Sequence, residues 1–352
     1  IGYRAIISSL DALHKNDYII QIIGSHNEGT MTTMEPTDKL MQWFEDAGWS
    51  DVGVDKRVGS YVTLREARKQ NGNAVYIDFK DTKYSKWLGE RIKQYDQLLN
   101  NCKIELWNDN GTLDRIFKKF TIQRKFIKHK STYDNMEFVF GGRMPGPWVN
   151  LSSELRKNIT INGESTVELD RDASHLNAMY QVITGAPYPH KDDPYLITVD
   201  GVSVPRHIAK NFSSFMQGSR SVKGVAHSVI NNYKRKAIED KNPKEEDIKK
   251  YEEYVEFKKN IKPTDIANAI LDKHPKVANY YNNGKPYGDF ISCWESDIVF
   301  EVVMELTKRG IPCLTVYDSF IVPLQYKDLV DSMKDTTPYV ERRALPKELF
   351  KK

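Results

Sequence analysis

The sequence predicts an α+β protein with a small antiparallel sheet and several amphipathic helices. Two segments indicate hairpins, because strand-forming residues flank a short turn: residues 158–170, around Asn162-Gly163, and residues 313–324, around Tyr317-Asp318. Apolar residues at helical spacing over residues 294–310 indicate a long helix directly before the second hairpin. The strands and helices should therefore occupy separate stretches of the chain.

The composition is that of a globular chain with a polar surface. Its 352 residues suffice for two or three domains, and 39% of them are apolar, too many for a disordered chain. No run approaches 18 consecutive apolar residues, and the first residues do not have the pattern of a signal peptide, so we expect no membrane contact. Three scattered cysteines predict a reducing, cytoplasmic setting.

The first 135 residues read as helices and short strands, ending in a basic stretch. Residues 115–130 contain seven Lys or Arg and no acid, and aromatic residues alternate with them. Such a stretch suits a surface that neutralises phosphates and stacks on bases, which would make Arg124, Lys125 and Lys128 nucleic-acid contacts. The alternative is an amphipathic helix with a solvated basic face.

The middle of the chain alternates breaks and helices. Glycine and proline in residues 141–150 predict a loop or domain junction, and the hairpin of residues 158–170 follows. Residues 205–233 have a helical pattern that begins at Pro205. Residues 231–260 carry many charges of both signs and predict a solvated helical projection.

Two aspartates stand where apolar strands end. Asp170 follows the strand of residues 165–169, and Asp318 lies in the turn between two apolar strands. Either residue alone could simply favour a turn. Together they predict a pair of carboxylates on neighbouring strands, which can bridge two Mg²⁺ ions about 3.5–4 Å apart for phosphoryl transfer.

A cationic helix lies between these aspartates in the sequence. Arg206 and Lys210 are four residues apart and share one helix face, and Arg220 and Lys223 follow. Arginine makes forked contacts with phosphate oxygens and lysine acts as a point charge, so this face suits a triphosphate. A solvated cationic face is the alternative interpretation.

The order of these features resembles motifs A, B and C of the right-hand polymerases, most closely family A DNA polymerases and the single-subunit phage and mitochondrial RNA polymerases. Motif A resembles residues 167–176, motif B resembles residues 206–210 and Gly218-Ser219, and motif C resembles residues 316–320. Two positions depart from the pattern: Gln217 replaces an aromatic residue and Tyr317 replaces the usual histidine.

The resemblance implies metal binding by Asp170 and Asp318, with Asp172 as the reserve candidate for motif A. It also implies nucleotide binding by Arg206, Lys210, His175 and Gly218. The implied fold is a right hand with an antiparallel palm sheet and helical fingers. Its expected parts are a helix-rich N-terminal domain guiding template or product (1–140), palm with motif A (141–200), fingers with motif B (201–270), and palm with motif C plus a C-terminal tail (271–352).

Single positions indicate whether such an enzyme would make RNA or DNA. Ser319 after the motif C aspartate is typical of the RNA polymerases, and Gly142-Arg143 resembles an upstream element of theirs that contacts template and hybrid. His175 favours deoxynucleotides, because DNA polymerases place a bulky residue five positions after the motif A aspartate. The resemblance thus favours RNA synthesis, as in a polymerase or primase, over DNA synthesis.

The expected cofactor is Mg²⁺, two ions per site, with Mn²⁺ as a substitute. Expected partners are a DNA template, nucleoside triphosphates and the product strand, held by Arg143, Arg220, Lys223 and the basic stretch. Because the chain is short for this class and does not begin with Met, we expect a further domain or replication partner. A phage, mobile-element or mitochondrial origin fits the resemblance. A metal-dependent nuclease and a non-catalytic nucleic-acid-binding protein are the competing hypotheses.

Overall fold

The computed structural model describes residues 3–22, 33–46, 60–67, 75–129, 137–240, 243–282 and 284–340. The chain divides into two compact units, Ile1–Val58 and Gly59–Lys352, and its fold is α+β, as predicted. The described part of the first unit has an antiparallel strand pair and two helices: α1 (Tyr3–Lys15), β1 (Ile19–Ile22), β2 (Thr33–Pro36) and α2 (Asp38–Asp46).

The strands of the second unit form, among its described residues, a six-stranded sheet, a four-stranded sheet and a small hairpin. They are β3 (Val62–Glu66), β4 (Tyr76–Ile77), β5 (Ile104–Trp107), β6 (Leu113–Phe117), β7 (Arg124–Lys128), β8 (Gly141–Arg143), β9 (Ile159–Ile161), β10 (Glu164–Leu169), β11 (Thr198–Val199), β12 (Val202–Ser203), β13 (Leu314–Val316) and β14 (Ser319–Pro323).

Helices make up most of the remaining second unit. They are α3 (Lys83–Asn100), α4 (Ser153–Arg156), α5 (Ser174–Thr184), α6 (Arg206–Met216), α7 (Val222–Lys234), α8 (Glu245–Asn260), α9 (Pro263–Lys273), α10 (Tyr287–Lys308) and α11 (Lys327–Lys334). None of the helices in the described part of the chain combines the length and apolar character that a membrane crossing requires.

The six-stranded sheet is antiparallel, with the strand order β13-β14-β10-β9-β5-β6. Both predicted hairpins are confirmed. In the turn between β9 and β10, Asn162 and Gly163 both have positive φ, +55° and +82°, the conformation for which Asn-Gly is favoured. In the turn between β13 and β14, Tyr317 has φ +57°, which is uncommon for an aromatic residue.

Two hydrophobic cores fill the second unit, and α10 contributes to both. Residues Phe300 and Val303 of its second half pack with the six-stranded sheet and α3. Residues Phe290 and Ile298 pack with the helices α5 to α9. The two sets of residues meet near the middle of α10, where Cys293 belongs to the first core and Ile298 to the second.

Two sheets of the second unit extend across the predicted boundary at residue 140. Strands β5 and β6 belong to the same sheet as β10 and β14, and β3 and β7 share the four-stranded sheet with β8, in which β7 pairs with β8 beyond that boundary. The described part of residues 59–140 is also richer in strands than the predicted helix-rich domain. Pairing such as Ile104 with Ile161 joins distant segments, which local patterns do not reveal.

The basic stretch of residues 115–130 is not a helix. It forms β6 and β7, and in β7 alternate residues, Arg124 and Phe126, are buried. The helices predicted within residues 231–260 are present: α7 continues into a π-helical turn (Arg235–Glu239), and α8 is largely accessible to solvent, with Tyr254 packed in the helical core.

Candidate active site

The strand pairing brings the two predicted aspartates to one edge of the six-stranded sheet. Leu169, the last residue of β10, pairs with Phe320 of β14, so Asp170 stands beside the turn that carries Asp318. The Ser319 hydroxyl donates a hydrogen bond to Asp170 Oδ1. The neighbouring carboxylates predicted from the strand ends are thus present.

The Asp318 carboxyl lies in an environment with too little positive charge. Burial first, and then the negative charges of Glu295 and Asp170, raise its pKa to about 6, while a backbone hydrogen bond and the charge of Arg143 act in the opposite direction. A raised pKa of this origin means that the ionised carboxylates repel one another. A bound cation would relieve that repulsion.

Glu295, within the long helix predicted from the apolar spacing of residues 294–310, is the third carboxylate of this centre. It is 3% exposed, and its Oε2 lies 3.7 Å from Arg143 Nη2 and 4.0 Å from His175 Nδ1. Burial acts to raise the pKa of Glu295, but polar contacts with His175 and Ser174 and the charge of Arg143 outweigh it and lower that pKa. Glu295 therefore stays ionised and holds His175 and Arg143 beside Asp318.

Arg143 lies at the exposed rim of the centre. Its guanidinium carbon is 4.8 Å from the centroid of the Tyr317 ring, and its buried Nε has no hydrogen-bond partner among the described residues. The side chain is 42% exposed, so its remaining N–H groups can reach a bound anion.

Asp172, the reserve candidate, faces α11. Burial acts to lower the pKa of Lys334, but a hydrogen bond to Asp335 and the charges of Asp335, Asp331 and Asp172 raise it. The charge of Asp172 thus acts on Lys334, whereas Asp170 is bonded to Ser319 of the turn. The geometry favours Asp170 as the partner of Asp318.

The Tyr195 ring lies against Arg206 of α6. Burial raises the pKa of its hydroxyl to about 12, and among nearby charges Arg206 lowers it whereas Asp193, Glu295 and Asp318 raise it. The Arg206 guanidinium carbon is 5.3 Å from the centroid of the same ring. The charges of Arg206 and of the carboxylate centre therefore both act on the pKa of this one hydroxyl, although the two regions are far apart in sequence.

The cationic face of α6 is accessible to solvent. Arg206 is 51% exposed and forms an ion pair through Nε with Asp193, and Lys210 is exposed one turn further along the helix. The contact with Asp193, which precedes Arg206 by 13 residues in a loop, has no local sequence signal.

A cavity of about 910 Å³ lies where α6 ends and α7 and α10 begin. Gly218 and Arg220 line it, together with Lys285 and several serines and glycines. Lys223 is exposed on the first turn of α7. His129 and Asp289 also line the cavity and contact each other at 2.8 Å.

The three residues of β7 predicted to bind nucleic acid differ in accessibility. Arg124 is 1% exposed and paired with Asp297, so the prediction for Arg124 is wrong: its charge is used inside the protein. Lys125 and Lys128 are half-buried, and Lys128 Nζ lies 4.0 Å from Glu137. Base stacking by Phe117 and Phe126 is likewise excluded, because both rings are buried in the core.

The carboxylate centre fits Mg²⁺ in the chemistry of its donors. Within the described ranges, no three His, Cys, Asp or Glu side chains converge closely enough to hold an ion by themselves. Mg²⁺ commonly takes one or two protein carboxylates and completes its coordination with water and substrate phosphates. Asp170 and Asp318 supply two, and the raised pKa of Asp318 indicates a place that lacks positive charge.

Comparison of the chain with protein-family models, curated proteins and solved structures found no match.

Proposed function

We propose that this chain is an intracellular, template-directed nucleotidyltransferase that joins nucleoside triphosphates, preferably ribonucleotides, at a centre formed by Asp170 and Asp318. One observation carries the proposal: strand pairing places Asp170 beside the turn that carries Asp318, and the Ser319 hydroxyl of that turn donates a hydrogen bond to Asp170. Paired carboxylates facing fixed cations suit a reaction that moves a phosphoryl group.

The carboxylates serve to bind cations and to align the reacting oxygens. Two Mg²⁺ ions held by Asp170 and Asp318 would neutralise phosphate charge and favour ionisation of the attacking 3′-hydroxyl. Ser319 orients Asp170 through its hydrogen bond, and Glu295 keeps His175 and Arg143 in place beside Asp318. These contacts hold the charged groups before substrate arrives, so little reorganisation is needed.

The basic side chains of α6 and of the turn that follows it would bind the triphosphate and the nucleic acid. Arg206 and Lys210 lie one turn apart on the exposed face of α6 and would stabilise charge on the β- and γ-phosphates. The cavity beside Gly218, with Arg220 on its wall, has room for a strand of nucleic acid, and Arg143 would contact the strand from the palm side.

The preference for ribonucleotides follows from the resemblance at Ser319. DNA synthesis is the second candidate, because His175, held beside Glu295, occupies the edge of the centre with a bulky ring. Labelled ribo- and deoxynucleotides, offered with and without primer on single- and double-stranded DNA, distinguish these candidates. Mg²⁺-independent nucleic-acid binding without any synthesis would contradict both.

The test of the centre is to replace each aspartate separately. Asp170→Asn and Asp318→Asn should each lower incorporation at least about a hundredfold, because each removes a metal-binding charge. Asp331→Asn, on exposed α11, is the matched control and should retain activity. Near wild-type activity of Asp170→Asn or of Asp318→Asn would refute the assignment of that residue to the metal site. If Asp172→Asn lost incorporation activity and Asp170→Asn did not, Asp172 would be the metal-binding residue of motif A.

A further inference from the structure

The loop before β11 holds Arg206 from two sides. Asp193 forms an ion pair with Arg206 Nε, and the Tyr195 ring lies under the guanidinium with 5.3 Å between its centroid and Cζ. Asp193 Oδ1 also accepts a hydrogen bond of 2.9 Å from the Tyr195 backbone N–H. A guanidinium held at Nε keeps the N–H groups of both Nη nitrogens for another anion.

The same loop is fastened to α9 and its C-terminal cap. Lys273 Nζ lies 2.6 Å from Asp192 Oδ2, and His274 Nε2 lies 3.0 Å from the Pro194 carbonyl oxygen. His274 is buried, which lowers its pKa to about 4, so the neutral ring donates to Pro194 and accepts from the Tyr180 hydroxyl. Residues 192–195 are therefore a fixed support.

From these contacts we infer that Asp193 and Tyr195 are positioning residues for triphosphate binding, which act by fixing the guanidinium of Arg206. This inference rests on the proposed function, in which Arg206 binds the phosphates. Ordering a long side chain before it binds reduces the entropy lost on binding. Asp193 differs from the catalytic carboxylates, because it reaches the substrate only through Arg206.

The opposite role for Asp193 would be competition with the phosphates for Arg206. The contact geometry favours positioning, because a contact at Nε and a stacked ring together leave the Nη edge accessible. The two roles predict opposite changes in affinity when the carboxylate is removed.

The test measures binding and catalysis in the full chain. ATP with Mg²⁺ is titrated calorimetrically without template, and KM and kcat are measured for ribonucleotide incorporation. Asp193→Ala should weaken ATP binding and raise KM about fivefold with kcat within about twofold of wild type. Asp193→Asn, which keeps the shape and an acceptor for the Tyr195 amide, should have a smaller effect, and Asp193→Glu should recover part of the loss.

The matched control removes a contact between α8 and His207, the residue next to Arg206 on α6. Glu253 Oε2 is 2.9 Å from His207 Nε2, so Glu253→Gln removes an equally exposed type of contact without touching Arg206. It should leave ATP binding and KM unchanged. Thermal unfolding of each variant verifies that the fold persists, and Asp193→Asn provides the readout if Asp193→Ala does not fold.

Three results separate the inference from the proposed function. Unchanged or tighter ATP binding by both Asp193→Ala and Asp193→Asn would overturn positioning. Wild-type binding by Arg206→Gln would overturn it as well, since Arg206 would then not contact the phosphates. ATP binding that depends on Arg206 and Asp193, in a chain that incorporates no nucleotide, would support positioning and refute the polymerase.

Discussion

Two acidic residues of α10, Glu295 and Asp297, are buried to a similar extent but in very different surroundings. Asp297 pairs with Arg124, whose Nε also donates a 2.7 Å hydrogen bond to the Gly142 carbonyl oxygen. The Arg124 guanidinium lies 5.1 Å from the ring centroids of both Phe126 and Phe300. This charge is neutralised and enclosed.

Glu295, two residues earlier, has Arg143 at 3.7 Å and His175 at 4.0 Å, and its charge acts to raise the pKa of Asp318. The comparison distinguishes a structural buried charge from one that is available to a ligand. Asp297 is matched by one arginine inside the protein. The Glu295 region brings three carboxylates near the partly exposed Arg143, so it is stable only at some electrostatic cost.

Breaking the neutralised pair should have the largest effect on stability. Arg124→Met leaves the Asp297 carboxylate buried without its partner and should cost about 3–5 kcal/mol in the free energy of unfolding, measured with urea. The double variant Arg124→Met/Asp297→Leu removes both charges and should recover most of that loss. Lys157→Met, which removes an exposed pair with Glu154, should cost under about 0.5 kcal/mol.

If Arg124→Met lowered the free energy of unfolding by less than about 1 kcal/mol, this buried pair would contribute no more than an exposed pair does. That result would contradict the comparison.

Removing a charge from the region around Glu295 should raise the free energy of unfolding rather than lower it. Asp318→Asn should increase the free energy of unfolding at pH 8 by about 1–2 kcal/mol, because the folded state then avoids an ionised carboxylate whose pKa is raised from 3.8 to about 6. Between these pH values the folded state holds a proton that the unfolded state has released. Wild-type stability therefore falls as the pH rises through the window.

The gain of Asp318→Asn over the wild type in the free energy of unfolding should thus vanish near pH 4. Urea titrations of both proteins at pH 4 and at pH 8 would measure this difference. A loss of stability at pH 8 would show that the Asp318 carboxylate is neutralised in the way that Asp297 is.

The smallest effect should come from Glu295→Gln. This change removes one of the negative charges beside Asp318 and should lower the Asp318 pKa by less than about 1, measured by carboxyl NMR titration. Glu305→Gln, an exposed position of the same helix, should leave that pKa unchanged. An unaltered Asp318 titration in Glu295→Gln would remove Glu295 from the centre.

Much of the fold follows from local signals. Asn162-Gly163 predicts its hairpin because both positions require positive φ, and the stop of α10 follows from Gly310 and Pro312. The neighbouring placement of Asp170 and Asp318 was also predictable, because both follow strands that can pair. These features depend on residues that are close in sequence or on simple strand geometry.

The errors have a common physical origin in long-range contacts. Arg124 looked like a surface cation, because the partner that permits its burial, Asp297, is 173 residues away in sequence. Asp193 and Tyr195 were missed for the same reason: their significance comes from Arg206 and the distant carboxylates. Charge pattern alone does not distinguish a buried, paired arginine from one that meets solvent.

The position of α10 in both cores has a consequence for folding. Its first half packs with the helical core and its second half with the sheet core, so neither core is complete without this one helix. The residues from Gly59 onward should therefore melt in a single cooperative transition, and no stable fragment should remain when α10 is cut. The carboxylate centre, at the middle of that helix, is assembled only when both cores have formed.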